Sequence, residues 1–155
     1  MPVLFLDIDG VCNSRAYAEQ IGGNLFNVID PAPAAMVRRI VTMTGCQVVL
    51  SSTWRLYPDS LKVVRNEVCD FIDVTPDHQR GGKWGIAPRG TEIKAWLDQH
   101  PEVDRYAILD DNSDMLPGQP LFLTTFDIGL TEQIADDVIK YLNNRTKYAT
   151  NQITN

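Results

Sequence analysis

Carboxylates crowd two short runs of this 155-residue chain, Asp7-Ile8-Asp9-Gly10 and Asp110-Asp111-Asn112-Ser113-Asp114, and each follows directly on a short apolar run. Between them, the apolar run Gln47–Leu50 opens onto Ser51-Ser52-Thr53. If these segments share a crevice, the acids repel one another and raise each other's pKa, a cost that a bound divalent cation removes. Oxygen-only ligands with no nearby His or Cys select a hard ion, and Mg²⁺ commonly shares its shell with water and phosphate. Asp7, Asp9, Asp110 and Asp111 are therefore the candidate metal ligands. Within Asp7-x-Asp9, Gly10 permits a sharp turn that brings Asp9 alongside Asp7. One carboxylate could then attack phosphorus, as acyl-phosphate-forming nucleophiles do. The other, Asp9, would protonate the leaving oxygen and later deprotonate a water. Taken singly, each motif also has a bland reading. Asp-x-Asp-Gly suits a solvated turn or the start of a calcium loop, although Val11-Cys12-Asn13 lacks the further acids such a loop needs. Asp110–Asp114 suits a helix cap and Ser51–Thr53 a self-satisfied loop. Their joint occurrence after three apolar runs is what points to chemistry.

The elements that must position these residues alternate along the chain. Val3–Leu6, Gln47–Leu50, Tyr106–Leu109 and Leu121–Thr124 read as buried strands, with Phe71–Val74 a weaker one. Helical spacing follows Asp30-Pro31 up to Gly45, Pro58 up to Val68, Ile93 up to His100, and Thr131 up to Leu142. Strands alternating with helices predict an α/β, three-layer, Rossmann-like domain around a mainly parallel sheet. In such folds ligands bind beyond the carboxyl ends of the strands, where the acids and hydroxyls lie. Residues 1–144 read as a single catalytic domain and 145–155 as a polar tail. Residues 75–90, rich in Gly and Pro, read as a long loop.

Composition excludes other classes. With 44% hydrophobic and 22% charged residues the chain is neither disordered nor a coiled coil. Its formal charge of −6 disfavours a surface that grips nucleic acid throughout, while leaving room for a local basic patch. Nothing reaches the length of a membrane span, the start lacks a basic leader, and Cys12, Cys46 and Cys69 form no CxxC pair. A cytoplasmic protein without a membrane or an obligate protein partner is the expectation.

Leu6-Asp7-Ile8-Asp9-Gly10-Val11, Val49-Leu50-Ser51-Ser52 and Ile108-Leu109-Asp110-Asp111 together resemble the haloacid dehalogenase (HAD) superfamily of Mg²⁺-dependent phosphohydrolases. The resemblance implies a HAD-like core, Asp7 as nucleophile, and Asp9 as general acid/base whose backbone carbonyl also ligates the metal. It implies that Ser51, helped by the Ser52 amide, binds the transferring phosphoryl group. Asp110 would be the third metal ligand, supported by Asp111 or Asp114. The family's phosphate-stabilising lysine is replaced here: Arg89 stands at its position, with Lys94 one turn further on as the other candidate. Ser51-Ser52-Thr53-Trp54-Arg55 and Arg89-Gly90-Thr91-Glu92-Ile93 are similar to a nucleic-acid-repair subgroup that includes the phosphatase half of bacteriophage polynucleotide kinase-phosphatase.

The spacings leave no room for a large cap domain, so the site is expected to be open and suited to a bulky or macromolecular phosphate end. Arg15, Arg55, Arg80, Lys83 and Trp84 are the candidates to meet it, Trp84 by stacking on a base. Asp7, Asp9 and Arg89 are thus the expected catalytic residues, and Ser51, Ser52, Arg55 and Lys94 the expected substrate contacts. The leading expectation is a phosphomonoesterase acting through aspartyl-phosphate on nucleic-acid or nucleotide ends. The alternatives are a phosphatase of small phosphomonoesters, a non-catalytic phosphate-binding module and a receiver-like signalling domain. Receivers carry their acidic pair after the first strand and a phosphoacceptor mid-chain, the reverse of the order here.

Overall fold

The computed structural model describes residues 1–78 and 87–144. Its centre is a five-stranded, wholly parallel sheet made of β1 (Pro2–Leu6), β2 (Gln47–Leu50), β3 (Asp73–Val74), β4 (Arg105–Asp110) and β5 (Leu121–Leu123), in the order β3-β2-β1-β4-β5. The helices are α1 (Arg15–Ile21), α2 (Pro31–Thr44), α3 (Pro58–Glu67), α4 (Arg89–Asp98) and α5 (Glu132–Asn143). This is the expected α/β three-layer architecture, and among the described residues no cap domain interrupts it.

The strands are continuous apolar runs because both faces of the sheet are covered. Leu4, Leu6, Val48, Leu50, Ala107 and Leu109 look towards a core completed by Val37 and Ile40 of α2, Val64 of α3 and Val138 and Leu142 of α5. Val3, Phe5, Val49 and Ile108 look the other way, against Ile93 and Trp96 of α4. Phe5 meets Trp96 edge-on, with ring centroids 5.5 Å apart. Helix ends follow local chemistry. Asp30 caps α2 by accepting from the Ala32 amide, Pro31 occupies its first turn, and Gly45 closes it at φ 68°. Thr131 caps α5 by accepting from the Ile134 amide.

Two elements depart from the sequence expectation. Only Asp73 and Val74 of the Phe71–Val74 run pair with β2. Phe71 instead turns into the core beneath the Arg65 guanidinium, 3.8 Å from its ring centroid, and Ile72 is exposed. Helix α1 has no buried residue, so it carries no apolar periodicity for a sequence reading to find. Its start is fixed by Ser14, whose hydroxyl accepts from the Tyr17 amide. The loop cations Arg80 and Lys83, Trp84, and the tail 145–155 lie outside the described residues.

Candidate active site

Register alone assembles the first part of the site. Leu6 is paired with Leu50 on one side and with Leu109 on the other. One residue further along, the Ser51 amide donates to the Leu6 carbonyl and the Asp7 amide to the Leu109 carbonyl. Ser51, Asp7 and Asp110 therefore form a row across three adjacent strand ends, with neighbouring strands about 4.8 Å apart. Side chains alternate along a strand, so this row continues the face of Val49, Phe5 and Ile108, the face covered by α4. Helix α4 starts with Arg89, which places a guanidinium over the row.

The acids do converge. Carboxylate oxygens of Asp7, Asp110 and Asp111 lie within 4.8 Å of one another. Like charges at about 4 Å repel by roughly 4 kcal/mol per pair at an effective dielectric constant near 20. Burial first, and then Asp110, push the Asp7 carboxyl well above the usual carboxylate range, with Arg89 pulling it partly back. Burial likewise pushes Asp110 up to about 6, against the pull of Arg89 and of the Asn112 amide that donates to its Oδ1 at 2.9 Å. Arg89 lies 3.6 Å from Asp7 Oδ1 through Nη1 and 3.3 Å from Asp110 Oδ2 through Nε, close enough for ion pairing but without hydrogen-bond geometry. Burial works against its charge, yet Asp7 and Asp110 outweigh burial and raise it above the ordinary arginine value. Three carboxylates facing one guanidinium leave two negative charges, which suits a hard divalent cation. Asp110 Oδ2 is buried with no hydrogen-bond partner, an orphan that such an ion would satisfy.

A second orphan faces the same chemistry. Ser51 Oγ is fully buried and has no partner, a state that costs about 1–3 kcal/mol unless a ligand completes it. Arg89 Nη1 is unpartnered as well. A hydroxyl donor and a guanidinium donor, both buried beside a carboxylate cluster, describe a pocket for a tetrahedral oxyanion.

The other expected residues are distributed as follows. Asp9 stays outside the carboxylate cluster. Its Oδ1 accepts from Asn13 Nδ2 at 2.8 Å, while Asn13 Oδ1 accepts from the Gly10 amide at 3.0 Å. Its side chain is thus held by Asn13 apart from the three clustered acids, which leaves its main chain as the metal ligand the resemblance implies. Gly10 is required: it sits at φ 79°, and a Cβ there would lie 2.2 Å from Asp111 Oδ2. Its carbonyl accepts from Thr124 Oγ1, which ties the turn to the end of β5. Asp114 does not join the cluster. Its Oδ2 accepts from the Arg89 amide at 3.1 Å and so caps α4 from a distance. Gly90 makes that approach possible, because a Cβ there would fall 2.4 Å from the Leu116 nitrogen.

Of the expected substrate contacts, the side chains of Arg55 and Lys94 are engaged elsewhere, while for Ser52 the resemblance gives the contact to the amide and not to the hydroxyl. Ser52 Oγ accepts from the Trp54 amide and starts the 3₁₀ turn Thr53–Leu56, so its side chain serves the backbone. Lys94 is exposed and pairs with Asp98 one turn along α4 at 2.8 Å, while Arg89 takes the place beside the acids. Arg55 is buried with all five of its N–H groups engaged. It donates to the carbonyls of Thr75, Ser51, Ser52 and Pro76 and to Glu92 Oε2. It is a strut that ties the Ser51-Ser52 loop to α4, with no donor left for a substrate. Glu92, also buried, and Asn13 are the positioning residues that sequence reasoning missed. The spacing of Arg89 and Glu92, three apart on one helix, was the available signal.

Residues 3–135 match the family described as the HAD domain in Swiss Army Knife RNA repair proteins. The chain belongs to that family. No curated protein and no solved structure matches it. Membership makes this a HAD-type phosphatase domain in general kind, and the five-stranded parallel sheet agrees with it. Among the described residues no helix is long and apolar enough to cross a membrane.

Proposed function

We propose that this HAD domain is a Mg²⁺-dependent phosphomonoesterase that acts through a phosphoryl-aspartate on Asp7 and takes nucleic-acid or nucleotide phosphate ends. The observation that carries the reading is the buried, unpartnered Ser51 hydroxyl in the same row as Asp7, with the unpartnered Nη1 of Arg89 opposite. A phosphoryl group seated there would have its oxygens met by both donors and its phosphorus beside a carboxylate. Asp7, Asp110 and Asp111, with the main chain of Asp9, would hold Mg²⁺, which supplies charge neutralisation for the phosphoryl oxygens.

Asp7 attacks phosphorus as the ester P–O bond breaks, and Asp9, steadied by Asn13, delivers a proton to the leaving oxygen. Asp9 then takes a proton from the water that attacks the phosphoryl-aspartate, releasing inorganic phosphate and restoring Asp7. Arg89 stabilises the charge that builds on the equatorial oxygens, as a fork rather than a point charge. The RNA-repair description of the family and the open site support a nucleic-acid end as substrate.

The test is phosphate release from p-nitrophenyl phosphate and from a 3′-phosphorylated oligonucleotide. Activity should require Mg²⁺, vanish on chelation and vanish in Asp7→Asn. Turnover without metal, or full turnover in that variant, would refute the mechanism. Equal kcat/KM for oligonucleotide and sugar phosphates would refute the substrate class.

A further inference from the structure

Beside the phosphoryl site lies a cleft of about 420 Å³ whose wall includes Asp9, the residue that hands its proton to the leaving group. The leaving group must therefore extend along this cleft. Three of its lining residues are aromatic rings left in solvent: Phe26 is 82% exposed, Tyr57 58% and Phe126 40%. They come from three separate connections, between α1 and α2, before α3, and after β5. Exposing that much ring surface around one cleft is costly for a small domain and marks a binding surface. The rest of the lining is neutral and able to hydrogen-bond (Asn27, Thr53, Ser60) or apolar (Leu25, Trp54), and among the described lining residues there is no Lys or Arg. Asn27 adopts a left-handed conformation, φ 52°, next to Phe26, and its Oδ1 accepts from Ser60 Oγ at 2.5 Å, so the segment that presents Phe26 is pinned to α3.

Flat rings, neutral hydrogen-bonding groups and no cation among the described lining residues suit a flat neutral group better than a second phosphate. The geometry points to a nucleobase: the terminal unpaired base of a single-stranded nucleic acid, carrying the scissile phosphate on its own sugar, stacks between Phe26, Tyr57 and Phe126. This rests on the proposed phosphomonoesterase reading and specifies its substrate. Stacking is tolerant of sequence because every base presents a π-face, so one or more rings should read the presence of a base rather than its identity.

The probe is a pair of 3′-phosphorylated, fluorescently labelled oligoribonucleotides, identical except that the terminal nucleotide of one is abasic. In turnover, loss of the terminal base should raise KM about ten- to a hundredfold, the span expected for one stacked base. In the double variant Phe26→Ala, Tyr57→Ala the ratio of kcat/KM between the two substrates should collapse towards one. Both side chains are exposed, and circular dichroism checks that the variant folds. Binding is measured separately, by anisotropy with the Asp7→Asn protein, where the base-bearing strand should bind about tenfold or more tightly over the abasic one. If that difference appears while no phosphate is released by the unmodified protein, the mechanism fails and the base site stands. If both strands bind and react alike, the base site is overturned, whatever the catalytic outcome, and the cleft belongs to another occupant such as a peptide segment.

Discussion

Asp110→Asn should make the metal-free protein more stable while disabling the proposed metal site. The substitution keeps an oxygen for the Asn112 amide, which donates to Asp110 Oδ1 at 2.9 Å, and changes little in volume. It removes a charge that the fold holds at a cost. Burial lifts the Asp110 carboxyl from 3.8 to about 6, so the native state binds this proton more tightly than the unfolded chain. Where the native state holds the extra proton, stability falls as pH rises. The fall begins near pH 4, is complete slightly above pH 6, and amounts to roughly 3 kcal/mol at about 1.4 kcal/mol for each pH unit between the two values. That value already includes the attraction to Arg89, 3.3 Å away, so removing the charge should yield a gain of up to about 3 kcal/mol at pH 7.5. For a domain of this length that is a rise in Tm of up to roughly 6–12 °C. Thermal unfolding in EDTA, at pH 7.5 and at pH 4, reads the effect. The variant should melt higher at pH 7.5 and level with the unmodified protein at pH 4, and millimolar Mg²⁺ should raise the Tm of the unmodified protein alone. A variant that melts no higher at pH 7.5, or gains equally at both pH values, would show that Asp110 is not held as a destabilising charge.

Two further outcomes follow from the neighbouring cations. Arg89→Ala should lower kcat about 10²- to 10³-fold, the usual loss on removing one preorganised donor to a developing oxyanion, whereas Lys94→Ala should stay within about twofold; steady-state kinetics that reverse this order would return the role to Lys94. Glu92→Gln leaves the Arg55 charge buried and uncompensated, which should cost about 3 kcal/mol, or roughly 6–12 °C in Tm, and a loss below 1 kcal/mol would mean that the four carbonyls already suffice.

The parts of the molecule legible in the sequence were those written in short-range patterns. Continuous apolar runs marked β1, β2 and β4, and the polar residues just past them marked the site, because a parallel sheet delivers its strand ends to one edge. Caps at Asp30 and Thr131 were equally local. Arg55 was misread for a physical reason: an arginine four residues past the serine expected to bind phosphate looks like an anion ligand until its five partners are seen, and four of them are main-chain carbonyls that no side-chain pattern encodes. Lys94 lost its role to geometry, since one helical turn carried it to Asp98. Asn13 was passed over because its worth lies in two hydrogen bonds across a four-residue turn. The cleft of Phe26, Tyr57 and Phe126 joins residues a hundred positions apart with no periodicity between them.

The two faces of the sheet have different tenants. One carries α2, α3 and α5 over an oily interior with none of the acids; the other carries α4, whose first turn holds the guanidinium and whose later turns hold Ile93 and Trp96. Away from Trp54 and Ser60, which line the aromatic cleft, drift in sequence is thus free to redraw one side of this molecule for thermal endurance without moving the arginine. On the other side, every change to the oil is also a change to where an arginine sits, so adaptation there must satisfy packing and chemistry in the same step.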